Sequence, residues 1–220
     1  MKLSLNPEEL AGYVQRQFEA FFPDKTAAGN LQRIISQALE RVEYCFSKIG
    51  VKGYSDSSGA IFHHLHTDQY AAFLYYLSNS AFHVGAQPIA EKAYALNKAL
   101  HSLDAFYEVE LPPVILFVHP VGTVLGRAKY SDYFCCYQNC TTGANLDDVY
   151  PVLGRGTVIY GGSRVIGKTT LGDNTFVATG TIAIDESSLP ANSVVHGAHP
   201  NARAAPTQRN VIRDIFKSTG

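Results

Sequence analysis

From Leu153 onward an aliphatic residue recurs at every sixth position: Leu153, Ile159, Val165, Leu171, Val177, Ala183, Leu189 and Val195. Four residues after each of the first seven stands a small hydroxylated residue: Thr157, Ser163, Thr169, Thr175, Thr181, Ser187 and Ser193. Neither the 3.6-residue helical period nor the two-residue strand period produces this pattern. It is a hexapeptide repeat, which specifies a parallel β-helix. Each hexad forms one flat side of a triangular prism, and three hexads close a coil. The aliphatic column points inward, and the Thr/Ser column sits at corners that admit only small side chains. No coil buries its own apolar face, so stability comes from stacking neighbours and the ends need caps.

The beat extends upstream in weaker form through Val118, Val124, Tyr130 and Cys136, with Gly122, Ala128, Phe134 and Cys140 in the small column, where Phe134 is a misfit. Between Cys140 and Leu153 the register breaks, so a loop over 141–152 is expected to leave the prism on the binding face. Ahead of the repeat the pattern is helical. Asn6-Pro7-Glu8-Glu9 reads as a helix start and Pro23 as its stop. Further helices are expected from about Thr26 to Ile49, with Leu31, Ile34, Ile35, Ala38, Leu39 and Val42 on one face, from about Ala60 to Leu77, and from Pro88 to about Ser102. The expected class is α+β: a helical bundle over 1–107 capping the prism, a β-helix over 108–204, and a tail or helix over 205–220.

Composition bounds the function. The chain has 220 residues, is 46% hydrophobic and carries a net charge of −1. There is no basic patch for nucleic acid and no apolar run long enough to span a membrane or form a signal peptide. A cytoplasmic protein is the simplest expectation. Cys45, Cys135, Cys136 and Cys140 lack zinc-type pairing and read as soft core filler. His63-His64-Leu65-His66-Thr67-Asp68 invites a metal reading, but no standard ligand motif surrounds it, so no metal is expected.

The residues around the repeat resemble the serine acetyltransferases, a family of hexapeptide-repeat acyltransferases. His119-Pro120-Val121-Gly122-Thr123-Val124-Leu125-Gly126 is similar to that family's His-Ala-Thr-Gly-Ile-Val-Val-Gly. Gln138 and Thr141-Thr142-Gly143 match a following Gln, Thr and Gly, and Tyr150-Pro151-Val152-Leu153-Gly154 resembles a His-Pro-Lys-Ile segment. Gly197-Ala198-His199-Pro200-Asn201-Ala202-Arg203 resembles a closing Gly-Val-Pro-Ala-Arg/Lys, and Tyr107-Glu108-Val109-Glu110-Leu111-Pro112-Pro113 resembles the lead-in Phe-Gln-Val-Asp-Ile-His-Pro. The resemblance implies a left-handed winding, acetyl-CoA as acyl donor, and a trimer or dimer of trimers with the site between subunits. It implies His119 as the base that takes a proton from an acceptor hydroxyl. Glu110 stands where the family has its orienting Asp, with Glu108 and Asp104 in reserve. Gly143 offers a backbone N–H to the oxyanion. Gly161 and Gly162, then Thr179 and Gly180 one coil later, line the CoA arm, and Arg203 meets a CoA phosphate.

The match departs from the family where the amino acid's charges would be held. Val118 replaces an Asp, Val149-Tyr150 replaces an Arg-His pair, and one hexad is missing between Glu110 and His119. Two apolar residues cannot pair an ammonium and a carboxylate. Tyr150 retains only a hydroxyl for the acceptor. The acceptor is therefore serine or another small hydroxyl compound. An N-acyltransferase acting on an amino-sugar and a catalytically retired binding or assembly module stay open. Lys217-Ser218-Thr219-Gly220 lacks the terminal Ile with which the family docks into cysteine synthase, so that partner is not expected.

Overall fold

The computed structural model describes residues 1–24 and 29–217. Four helices precede the solenoid: α1 (Pro7–Phe21), α2 (Leu31–Ser47), α3 (Thr67–His83) and α4 (Gln87–His101). The start expected for α1 is built as a capping box. Asn6 Oδ1 accepts the N–H groups of Glu8 and Glu9 at 3.0 Å, and the Glu9 carboxylate accepts the Asn6 N–H at 2.8 Å. Such a cap stabilises a helix by about 1 kcal/mol. The expected beginning of the second helix at Thr26 lies outside the described residues.

The third helix differs from its expected span. Gly59–Phe62 is a strand, paired in parallel with Lys2–Leu3 and antiparallel with Ser55–Asp56. α3 starts only after His66, whose ring nitrogen caps it by accepting the Gln69 N–H at 3.4 Å. From Asp68 to Ala81 every residue of α3 is buried. A helix buried on all sides is the centre of its domain, and it fixes whatever its first turn carries.

The solenoid makes about five coils with three faces. A six-stranded face stacks Ile115–Phe117, Phe134–Cys136, Thr157–Ile159, Thr175–Val177 and Ser193–His196 in parallel, closed by antiparallel Arg203–Pro206. A five-stranded face stacks Asp104–Ala105, Val124–Leu125, Thr141–Gly143, Arg164–Ile166 and Ile182–Ile184. A three-stranded face stacks Lys129–Tyr130, Val152–Leu153 and Thr170–Leu171. Leu153, Ile159, Val165, Leu171, Val177, Ala183 and Val195 are buried as the inward column. The corner hydroxyls satisfy the turning backbone. Thr157, Thr169, Thr175 and Thr181 each donate to the carbonyl three residues back, at 2.6 to 2.7 Å.

Three expectations are corrected here. Upstream of Tyr130 the inward positions belong to Phe117 and Leu125, which align with Cys136 and Thr142 and are buried, whereas Val124 is exposed. The first corner between the six- and five-stranded faces holds two extra residues, His119 and Pro120, so Phe117 and Leu125 stand eight apart where Cys136 and Thr142 stand six apart. The corner position in that coil is Thr123, whose hydroxyl donates to the Tyr137 carbonyl at 2.8 Å, not Gly122. The loop is also shorter than 141–152. Thr141–Gly143 and Val152–Leu153 remain in their faces, and only 144–151 leaves the prism. Thr157 aligns with Phe134 in the longer coil and with Thr175 in the regular one.

The helical part and the first coil share one core. Tyr75 on α3 donates to the Val109 carbonyl at 2.8 Å and accepts the Leu111 N–H at 2.8 Å. Cys45 on α2 lies 3.1 Å from the Ile115 carbonyl. After the solenoid the chain returns through α5 (Val211–Ile215), and the Gly50 N–H donates to the Ile215 carbonyl at 2.9 Å. Among the described residues no helix is long and apolar enough to cross a membrane.

Candidate active site

The corner between the six- and five-stranded faces gathers most of the site residues expected from sequence. Phe117, Cys136, Ile159, Val177 and Val195 align across the coils. Two residues after the last four come Gln138, Gly161, Thr179 and Gly197, stacked along one edge; in the first coil Val121 takes that place, its carbonyl accepting the Asn139 N–H at 2.9 Å, and His119 stands just before it. The Gly162 N–H donates to the Gln138 carbonyl at 3.0 Å, and the Gly180 N–H to the Gly161 carbonyl at 3.1 Å. Gly162 and Gly180 hold φ of 76° and 72°, a left-handed turn that glycine adopts without strain. A Cβ on Gly161 would stand 2.8 Å from Gln138 Nε2. The Gln138 amide packs over Gly161, whereas Gly162 and Gly180 present bare main chain over two coils. At its far end Arg203 pairs with His196 across the closing antiparallel ladder. With coils about 4.8 Å apart, the edge from His119 to His196 spans about 19 Å.

His119 is at the near end, with its side chain 79% exposed and its φ at +48°. A left-handed backbone at a residue preceding proline is strained, and such conformations persist where the surroundings hold them. The holder is Asp68. Its carboxylate accepts the His119 N–H at 3.1 Å and lies 3.7 Å from His119 Nδ1, and its side chain is only 9% exposed. Asp68 stands in the first turn of α3, where the helix dipole favours a carboxylate. In the sequence Asp68 stands out only as the one carboxylate of α3, beside a histidine-rich stretch, and nothing there names His119 as its partner. The histidines beside it are engaged locally: His66 caps α3, and His63 Nδ1 accepts the Leu65 N–H at 3.2 Å.

Glu110 does not join His119. Its carboxylate pairs with His83 Nε2 at 2.9 Å and accepts from Asn79 Nδ2 at 3.3 Å. The lead-in to the prism packs along α3, which turns Glu110 toward that helix's C-terminal end. The reserves are also engaged elsewhere. Glu108 faces Arg127 at 3.7 Å, and Asp104 accepts from Lys98 at 2.6 Å and from the Tyr94 hydroxyl at 2.8 Å. Glu110 and Tyr150 instead share a cleft of about 510 Å³ with Arg127 and Lys129. Tyr150 donates there to Asp148 at 3.1 Å. Gly143 sits at the base of the excursion, its carbonyl accepting the Gly167 N–H at 3.0 Å. The expected site residues thus form two groups at different corners of the prism: His119, Gly161, Gly162, Thr179, Gly180 and Arg203 on one, and Glu110, Gly143 and Tyr150 on the other. Arg164, which the sequence reading did not single out, adds a cation to the first group by donating to the Gly162 carbonyl at 3.3 Å. Among the described residues no cluster of three or more His, Cys, Asp or Glu side chains is arranged to hold a metal ion.

No protein-family model and no curated protein matches the chain by sequence. Solved structures match it by shape. The serine acetyltransferase of Neisseria gonorrhoeae in complex with serine superposes with a TM-score of 0.69 at 15% identity, over 92% of this chain and 84% of that one. The serine acetyltransferase of Brucella abortus strain S19 in complex with coenzyme A gives 0.67 at 15% identity, over 94% and 84%. Isoform 3 of the Entamoeba histolytica enzyme, in complex with cysteine, gives 0.58 at 16% identity, over 91% and 72%. The shared parts are the helical domain, the coil stack and the order in which they follow. The chain shares the fold of the serine acetyltransferases, a helical domain followed by a β-helix of hexapeptide repeats.

Proposed function

We propose that the chain is an acetyl-CoA-dependent O-acetyltransferase with His119 as general base and a small hydroxyl compound as acceptor. The observation that carries this reading is the edge itself. A histidine held by a buried carboxylate stands at one end, bare main chain at Gly162 and Gly180 follows, and Arg164 and Arg203 supply cations along it. A span of about 19 Å suits an extended pantetheine arm, with its phosphates toward the cations and its thioester toward His119.

In the reaction, His119 takes the proton of the acceptor hydroxyl as that oxygen attacks the thioester carbonyl. Asp68 fixes the ring and stabilises the imidazolium that forms. The tetrahedral intermediate collapses with cleavage of the C–S bond, and the imidazolium returns its proton to the departing CoA sulfur. The products are the acetyl ester and free CoA.

His119 is open to solvent on one copy, and Glu110, Tyr150 and Gly143 lie on another corner. Three copies packed around a three-fold axis bring the two corners together, with Tyr150 addressing the acceptor. The exposed Val124 and the half-exposed Ile166, Ile182 and Ile184 on the five-stranded face suit such packing. A dimer of these trimers through the helical domain is the larger assembly.

The test is acetyl-CoA consumption, followed by free-thiol release, with L-serine and a panel of hydroxyl and amine acceptors, for native chain and His119→Ala. Ester formation lost in His119→Ala supports the proposal. Transfer to amines alone supports an amino-sugar N-acyltransferase instead. Acetyl-CoA binding with no transfer to any acceptor supports a binding module.

A further inference from the structure

Beside His119 the outer surface of the prism carries an aromatic strip. Val118, Tyr137 and Tyr160 occupy one position on successive coils. Their N–H groups donate to the carbonyls of Cys136, Ile159 and Val177, at 2.9, 3.0 and 3.0 Å. The residues before them, Phe117, Cys136 and Ile159, are buried inside, so alternation along the strand turns these three outward. The rings of Tyr137 and Tyr160 lie 4.9 Å apart at 37°. All three residues are half-buried. Val118 is the residue immediately before the candidate base.

Two properties of the strip restrict what it can hold. The charges near it serve other parts of the site. Asp68 takes the His119 N–H, Arg164 stands on the donor edge at the Gly162 carbonyl, and Arg209 pairs with Asp214 at 3.2 Å. A zwitterion seated here would give up water at both charges without partners in return. The second property is unused hydrogen-bonding capacity. Among the described residues neither the Tyr137 nor the Tyr160 hydroxyl bonds to the protein. Burial pushes the Tyr137 phenol up to about 12 and raises that of Tyr160 as well, so both remain neutral donors and acceptors at working pH. An apolar ring pair with two free hydroxyls complements a ligand with one apolar ring face and hydroxyls around its rim.

We propose that the acceptor is a neutral hydroxylated ring, a sugar, lying on the Val118–Tyr137–Tyr160 strip with one ring hydroxyl at His119. This rests on the acetyltransferase reading. The ring oxygen forms an ester bond to the acetyl carbon while the thioester C–S bond breaks. The hydroxyl proton passes through His119 to the CoA sulfur.

The experiment uses the full chain and separates donor from acceptor. Acetyl-CoA binding is measured by calorimetry. Transfer of radiolabelled acetyl is then measured to methyl glucoside, methyl galactoside, L-serine and the phenol tyramine. The expected result is transfer to a glycoside with kcat/KM at least about tenfold above L-serine and tyramine. Tyr137→Leu and Tyr160→Leu are expected to raise the glycoside KM about tenfold with kcat within about twofold, and Tyr→Phe at each position to fall between. Acetyl-CoA affinity stays level throughout. A preference for L-serine or tyramine overturns the sugar assignment and leaves the acetyltransferase reading standing. A glycoside KM indifferent to both Leu variants overturns the strip. No acetyl-CoA binding at all overturns the reading on which the assignment rests.

Discussion

The backbone N–H of His119 donates to the carboxylate of Asp68 at 3.1 Å, and the imidazole Nδ1 lies 3.7 Å from the same oxygen. One side chain from the helical domain thus holds both the backbone and the ring of the candidate base in the first coil. Asp68→Asn keeps an oxygen for the N–H and removes the charge that stabilises an imidazolium. Expected is a fall in kcat of about ten- to a hundredfold on the best acceptor, with the KM for acetyl-CoA unchanged, less than the roughly 10²–10⁴-fold that a positioned acid–base group itself contributes, because Asp68 acts through His119. Steady-state kinetics over a pH series checks this. An Asn variant with native kcat at every pH would remove Asp68 from the mechanism.

The corner hydroxyls carry a stability prediction. Thr157 is fully buried, and its Oγ1 donates to the Gly154 carbonyl at 2.7 Å. Thr157→Val keeps the shape and deletes the donor, leaving a carbonyl at a tight turn with one partner fewer. The expected cost is about 1–2 kcal/mol, a fall of roughly 2–8 °C in Tm for a chain of this size. Thermal unfolding of the two proteins side by side measures it, and an unchanged Tm would mean the corner needs only a small side chain.

Part of this was legible in the sequence. From Leu153 to Val195 every coil is regular, so the hexad column names its own inward residues. Upstream, two extra residues at the turn, His119 and Pro120, displace the column to Phe117 and Leu125, and single-sequence phase cannot detect an insertion at a corner. The stacking of Gly161 and Gly162 on Thr179 and Gly180 follows from the eighteen-residue coil, whereas His119 is singled out by the motif it resembles and not by spacing. Asp68 could not be anticipated, because its approach to His119 depends on how α3 docks on the first coil. Glu110 was assigned by its place in a motif, and the same docking turned it to His83.

The open edge predicts a donor effect. A side chain at Gly161 would displace the Gln138 amide and push it onto the open main chain of the edge. Gly161→Val is expected to raise the KM for acetyl-CoA about tenfold, with kcat at saturation within about twofold and Tm little changed, the pattern of a lost binding surface. Unchanged affinity for acetyl-CoA in this variant would move the donor off the edge.

His101 gives the pH dependence of stability. It is buried at the end of α4, with Nδ1 2.9 Å from Asn97 Oδ1. Burial lowers its folded-state pKa below the ordinary 6.5, an effect that the nearby Asp68 charge partly opposes. A histidine depressed in the folded state is protonated first in the unfolded chain. Its contribution is present above about pH 6.5 and is lost as pH falls below that value toward the folded pKa. The native chain should therefore lose more Tm between about pH 7.5 and 5.5 than His101→Gln, which cannot titrate. Parallel slopes for the two proteins would assign the acid sensitivity to other groups.

The cysteines bear on the assay itself. Cys45, Cys135, Cys136 and Cys140 are all buried and unpaired. Burial pushes the Cys45 thiol up to about 11 and raises the other three. Thiolate is the reactive form, so neither access nor ionisation favours attack on a thiol reagent. At about pH 8 the native chain should contribute no thiol signal on the minutes timescale of a CoA-release measurement, and strong denaturant should reveal all four. Because Cys135, Cys136 and Cys140 sit in the second coil, whose strand pairs with both the first and third, their exposure requires that coil to open. A reagent rate that rises with temperature well below Tm would report that opening, and its suppression by acetyl-CoA would tie the coil to the donor edge.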